Sequence, residues 1–213
     1  MKRSQVVAIS AAAIALLAMG SVKVISKEPR YAPLTMDMLK PEQKNLGEQV
    51  MKVSSVGLGG PYAPLLQSPE MGQHMFDLMG YLRFKTSVPV KLNEFAICII
   101  ARQWRSQVEW YAHGPLAAKA GVPQDVLDQL HAKKRPSNMT PDLTTVYEFV
   151  TQLMDKHEVS DATFAEATKL LGQQGVVDLT AVAGTYVAVA SLLAVSEGSV
   201  PEGKELPFKA GEP

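Results

Sequence analysis

Residues 176–195 form a twenty-residue run with a single charge, Asp178. A stretch of that length and polarity either crosses a membrane or serves as the helix around which a core is built. Asp178, two threonines, Gly184, Tyr186 and Ser191 point to the core helix. Its many Ala and Gly residues would let another helix approach closely, as at a subunit interface.

The remaining segments carry helix punctuation. Thr35 to Val53 has a ragged apolar face that includes Met36, Leu39, Leu46 and Val50, and predicts a first helix. Gly57 to Pro64 reads as a loop by its Gly and Pro content, and no Lys-Ser/Thr follows to make it a phosphate cradle. Ser68-Pro69-Glu70 and Thr140-Pro141-Asp142 each pair a capping residue with Pro at the first helical position and an early acid. The first predicts a helix to about Phe84, the second a helix over Leu143–His157. Pro123 to Ala132 is a short helix, and Ser160-Asp161 opens another over Ala162–Leu171, ended by Gly172. No segment alternates with period two, so the chain reads as all-α. Ser196 to Pro213 is polar and carries no helical pattern.

Composition narrows the function classes. The 213 residues hold 46% hydrophobic side chains, and 21 basic residues balance 21 acidic ones. That suits a globular domain with a full core. No basic block or basic-aromatic stripe suggests nucleic acid. Lys2 and Arg3 precede an apolar stretch from Val6 to Met19 that exits through Ala18-Met19-Gly20, the layout of a secretory signal cleaved before Ser21. An uncleaved anchor is the alternative. Export predicts a periplasmic or secreted protein with no stable membrane span once the signal is removed. The expected division is a signal over 1–20, a leader and first helix over 21–56, a helical domain over 57–200 and a tail over 201–213. The one cysteine, Cys98, lies in an apolar run and reads as a small buried hydrophobe.

Chemistry concentrates in Glu94–Gly121. Those 28 positions hold both tryptophans, two arginines, two glutamates, Cys98 and one of four histidines. Val90 to Gln103 predicts a buried helix that breaks near Trp104. A second helix would run from Ser106 to about Ala120, stopped by Gly121 and Pro123. Ser106-x-x-Glu109 has the spacing of a capping box. Glu109 and His113, four apart, share a face. A Ser, a Glu and a His thus converge after a helix bearing another Glu.

These residues, Glu94 through Arg102-Gln103-Trp104-Arg105-Ser106-Gln107-Val108-Glu109-Trp110-Tyr111-Ala112-His113 to Gly121, resemble the carboxymuconolactone decarboxylase family, which includes the alkylhydroperoxidase D-like proteins. Val159–Thr163, Leu171–Leu179 and Gly184-x-Tyr186 resemble its C-terminal half, so the similarity spans about residues 60 to 200. The resemblance implies a compact all-α bundle that assembles as trimers or hexamers with sites near subunit contacts. The family's peroxidase branch uses a Glu, a Cys-x-x-Cys pair and a His. Laid on this chain, the Glu falls on Glu94, the His on His113, and the cysteine positions on Ser106 and Glu109. Without an attacking and a resolving thiol, dithiol peroxidase chemistry is not expected. The decarboxylase branch also lacks the thiols and keeps the His.

The leading expectation is therefore a cofactor-free lyase, decarboxylase or isomerase acting on a small carboxylate or lactone. His113 would be the acid/base, because imidazole titrates closest to working pH. Glu109 or Glu94 would orient it or carry a proton. Arg102 or Arg105 would hold a substrate carboxylate, and Trp104, Trp110 and Tyr111 would wall the pocket. Structural roles compete: a helix cap for Ser106 and Glu109, a core histidine at His113, interface ion pairs for the arginines. A non-enzymatic periplasmic binding or assembly protein on the same fold is the second reading. Metal binding through Glu109 and His113 is a weak third, since zinc wants three or four ligands.

Overall fold

The computed structural model describes residues 29–209 apart from Pro33 and Ser55; the signal expected over residues 1–20 lies outside them. Among the described residues there are helices and no strands. A 3-10 turn, Met36–Met38, precedes α1 (Pro41–Val53), α2 (Tyr62–Leu66), α3 (Pro69–Phe84), α4 (Val90–Gln103), α5 (Gln107–Lys119), α6 (Gln124–His131), α7 (Pro141–Lys156) and α8 (Asp161–Ser196).

Most boundaries follow local signals, and the exceptions have simple causes. Pro41 takes the first position of α1, and Lys40 before it is extended at φ −67°, ψ 159°. The continuous helix expected from Thr35 is therefore split. The expected Gly57–Pro64 loop ends early, because α2 starts at Tyr62. Ser160 caps α8 as read, accepting from the Thr163 N–H at 3.3 Å. Gly172 breaks α8 internally at φ 71°, a left-handed value that glycine takes without a Cβ penalty.

α4 is the axis of the bundle, buried without interruption from Leu92 to Arg102 and surrounded by α5, α7 and α8. Phe95, Ile97, Ile99 and Ile100 join Val146 and Val150 of α7 with Leu179 and Val182 of α8 in one core. Each such side chain contributes about 1.5–3 kcal/mol on burial. A second core joins Leu46 and Val50 of α1, Leu65 and Leu66 of α2 and Met79 of α3 to Val189 and Leu193 at the far end of α8. Close approach makes this layer possible: a Cβ on Gly72 would lie 2.4 Å from the Leu65 carbonyl oxygen. Asp178 ties the α3–α4 connection to α8, accepting from the Ser87 N–H and hydroxyl at 2.8 Å each, Thr86 at 3.0 Å and Tyr81 at 3.2 Å.

α8 is the one described helix long and apolar enough to cross a membrane, and half of its apolar window is buried within the protein. Its outer side leaves Val177 and Val195 more than half exposed, and a Cβ on Gly184 would meet nothing within 4 Å. The tail forms no helix over residues 197–209, as its lack of helical pattern predicts, and it is docked. Phe208 is buried, stacked on His131 and edge-on to Trp110. Gln107 donates to the Phe208 carbonyl at 2.7 Å and accepts its N–H at 2.8 Å.

Candidate functional site

The corner between α4 and α5 brings the chemistry together. The α4 helix ends in a reciprocal pair of backbone bonds, Ser106 N–H to the Ala101 carbonyl at 2.8 Å and Arg105 N–H to that of Arg102 at 3.2 Å. This Schellman closure places Arg105 at φ 50°, a left-handed conformation that costs a residue with a Cβ about 1 kcal/mol. The same closure stops α5 at Gly121, with Val122 N–H on the Ala117 carbonyl and Gly121 N–H on that of Ala118. Folded back on α4, α5 sets His113 against Glu94: Nδ1 lies 2.6 Å from Glu94 Oε2, and both residues are buried. An ionised carboxylate can only accept, so the Nδ1 proton points to Glu94 and Nε2 carries the free lone pair of the neutral ring. Nε2 has no hydrogen-bond partner among the described residues. Tyr186 of α8 stands edge-on to the imidazole, centroids 5.1 Å apart.

His113 and Glu109 both line a cavity of about 540 Å³ at the junction of the two cores. Its wall is mostly apolar, with Met79, Val108, Leu116 and Val189, and the loops contribute Ser54, Val56, Gly59, Gly60, Ser199 and Pro201. Tyr62, Tyr186 and Arg83 supply further polar groups. A cavity of this size suits a small organic molecule.

Glu109 is buried, and among the described residues neither carboxyl oxygen has a hydrogen-bond partner. Burial pushes its pKa up to about 8, opposed by the nearby Ser106 hydroxyl. The Ser106–Glu109 pair falls short of hydrogen-bond geometry, and Ser106 Oγ is itself unsatisfied. Ser106 occupies the N-cap position of α5 without its side chain capping, so the expected capping box does not form. At neutral pH Glu109 is a protonated acid four residues from the imidazole. Burial raises the Tyr186 phenol as well, against the pull of Arg83, so its buried hydroxyl stays a neutral donor. The Cys98 thiol is fully buried and is raised by that burial and by the Glu94 and Glu109 charges, which removes it as a nucleophile.

The cavity gathers Glu109, His113 and Tyr111, with Glu94 behind the imidazole. Four expected pocket residues stand elsewhere. Arg102 is buried with its guanidinium over the Phe208 ring at 5.1 Å, and Arg105 donates to the Lys209 carbonyl at 3.0 Å. Trp110 packs on His131 and Phe208, and Trp104 is 44% exposed. The Schellman corner turns the end of α4 toward the tail, so Arg102, Arg105 and Trp110 fasten the tail rather than wall the cavity. No local spacing marks Arg83, Tyr62 or Tyr186 as site residues. Only Gly184-x-Tyr186 gave any signal, through the family resemblance. Among the described residues no group of three or more His, Cys, Asp or Glu is placed to hold a metal ion. No family model matches the chain, and no curated protein matches it significantly.

Proposed function

We propose that this is an exported, cofactor-independent lyase, decarboxylase or isomerase acting on a small carboxylate or lactone, with a fold of the carboxymuconolactone decarboxylase type. One observation carries the reading: an imidazole oriented from behind by a carboxylate faces, beside a protonated acid, into a largely apolar cavity. His113 Nε2 takes a proton from the substrate carbon or hydroxyl, with Glu94 stabilising the imidazolium that forms. Glu109 donates a proton to the developing enolate or leaving oxygen, as a carboxyl raised by its apolar site can. Dithiol peroxidase chemistry has no thiol to use at this site, since Ser106 and Glu109 stand where the resemblance places the cysteines and Cys98 is sealed in the core. The exposed Val177, Gly184 and Val195 on α8 support assembly of several copies through that helix.

The test is a screen of lactones and unsaturated carboxylic acids with the protein and with His113→Gln, which keeps a donor toward Glu94. Turnover lost by at least about 100-fold in the variant supports the reading. Binding without turnover in either protein would make this a binding protein. Equal turnover in both would remove His113 from the mechanism.

A further inference from the structure

One group in the cavity wall is left without work by that mechanism. Arg83, in the last turn of α3, is the only Lys or Arg among the described residues lining the cavity. Its Nε is buried and has no hydrogen-bond partner, and no described carboxylate pairs with it. The guanidinium carbon lies over the Phe84 ring, 5.0 Å from its centroid. Its charge reaches the phenols of both Tyr62 and Tyr186, drawing down values that burial raises.

A partly buried guanidinium without an anion is costly, and among the described residues no carboxylate is paired with this one. Glu94 is engaged by His113, and Glu109 holds its proton at neutral pH. The position is open to an anion brought by a ligand. We propose that Arg83 is the carboxylate anchor of the cavity, which takes a small monocarboxylate with an apolar body, its charged end on the guanidinium and its body reaching toward His113. The planar fork suits two parallel bonds to a carboxylate, and Tyr62 and Tyr186 line the same cavity, the Tyr186 hydroxyl buried without a partner among the described residues. A second carboxylate would find no second Lys or Arg among the described residues of the wall, so dicarboxylates are disfavoured. The inference rests on reading this cavity as the substrate site and narrows the substrate class to monoanions.

Benzoate, its neutral isostere benzamide and the dicarboxylate phthalate are the probes, titrated calorimetrically at neutral pH. Benzoate is expected to bind at least tenfold tighter than either of the others. Arg83→Met should weaken benzoate at least tenfold while leaving benzamide unchanged, and Arg83→Lys should recover part of the loss. Circular dichroism checks that the variants fold, and the benzoate–benzamide comparison on the unaltered protein stands whether they fold or not. Equal affinity for benzoate and benzamide, unchanged benzoate binding in a folded Arg83→Met, or no benzoate binding up to about 10 mM would overturn the anchor. Benzoate binding that is Arg83-dependent, with no turnover of any compound screened, would uphold the anchor and fault the lyase reading.

Discussion

His113 Nδ1 stands 2.6 Å from Glu94 Oε2, and the two side chains, 19 residues apart in sequence, are each only 9% exposed. Removing either partner leaves the other buried and uncompensated. His113→Ala and Glu94→Ala are each expected to cost about 3 kcal/mol of unfolding free energy. The double variant should lose less than the sum, with a coupling of about 1 kcal/mol or more by urea denaturation. Additive losses would show that the contact carries no stability.

Glu109 makes stability depend on pH. Its folded pKa, about 8, lies above its ordinary value of 4.5. Between those values the folded protein keeps a proton that the unfolded chain releases. Stability therefore falls as pH rises through this window, with a limiting slope of about 1.4 kcal/mol per pH unit from this group. Glu109→Gln should match the parent near about pH 5 and exceed it near about pH 9, as read from urea midpoints. The same ionisation puts a negative charge into the cavity, so benzoate affinity should drop above about pH 8.

Asp178 behaves in the opposite sense. Burial alone would raise its carboxyl, but hydrogen bonds from Ser87, Thr86 and Tyr81 outweigh that and hold it below its ordinary 3.8. Its stabilisation is present above that value and is lost as pH falls through the folded pKa. Asp178→Ala should cost about 2–3 kcal/mol at neutral pH and progressively less in acid, measured by thermal or urea unfolding.

Phe208 holds the tail. Phe208→Ala removes a buried ring packed on Trp110 and His131 and leaves only the backbone bonds to Gln107 as the hold at this residue. Trypsin should then cut faster at Lys204 and Lys209, and tryptophan emission should shift to the red while the helical signal stays. A variant with unchanged proteolysis would show that the tail is held by other contacts.

Cys98 should be silent in the folded state. A thiol reagent is expected to find no reactive group under native conditions and one per chain in denaturant, because the side chain has no exposed surface. Rapid native labelling would mean that α4 opens readily.

Much of the helical layout was legible because its signals are local. Pro69, Pro141 and Ser160 mark helix starts, Gly121 and Gly172 mark stops, and the apolar run from Phe95 to Ala101 is too long to lie on a surface. Pro41 is as local a signal, yet the apolar spacing around it outweighed it in the reading of a single first helix. Ser106-x-x-Glu109 had the right spacing for a capping box, but burial of both side chains turned the pair away from the backbone.

Local pattern alone sets the all-helical character, the corner at Trp104–Ser106, and the shared face of Glu109 and His113. Each depends on backbone hydrogen bonds or side-chain periods spanning only a few residues. Tertiary structure alone decided that Glu94 meets His113, that Arg83, Tyr62 and Tyr186 share their cavity, and that Arg102 and Trp110 serve the tail. The cavity is the space left between two cores, and which side chains face it depends on how α3, α5 and α8 are rotated against one another. That rotation is fixed by packing between residues far apart in the chain, which no local spacing records.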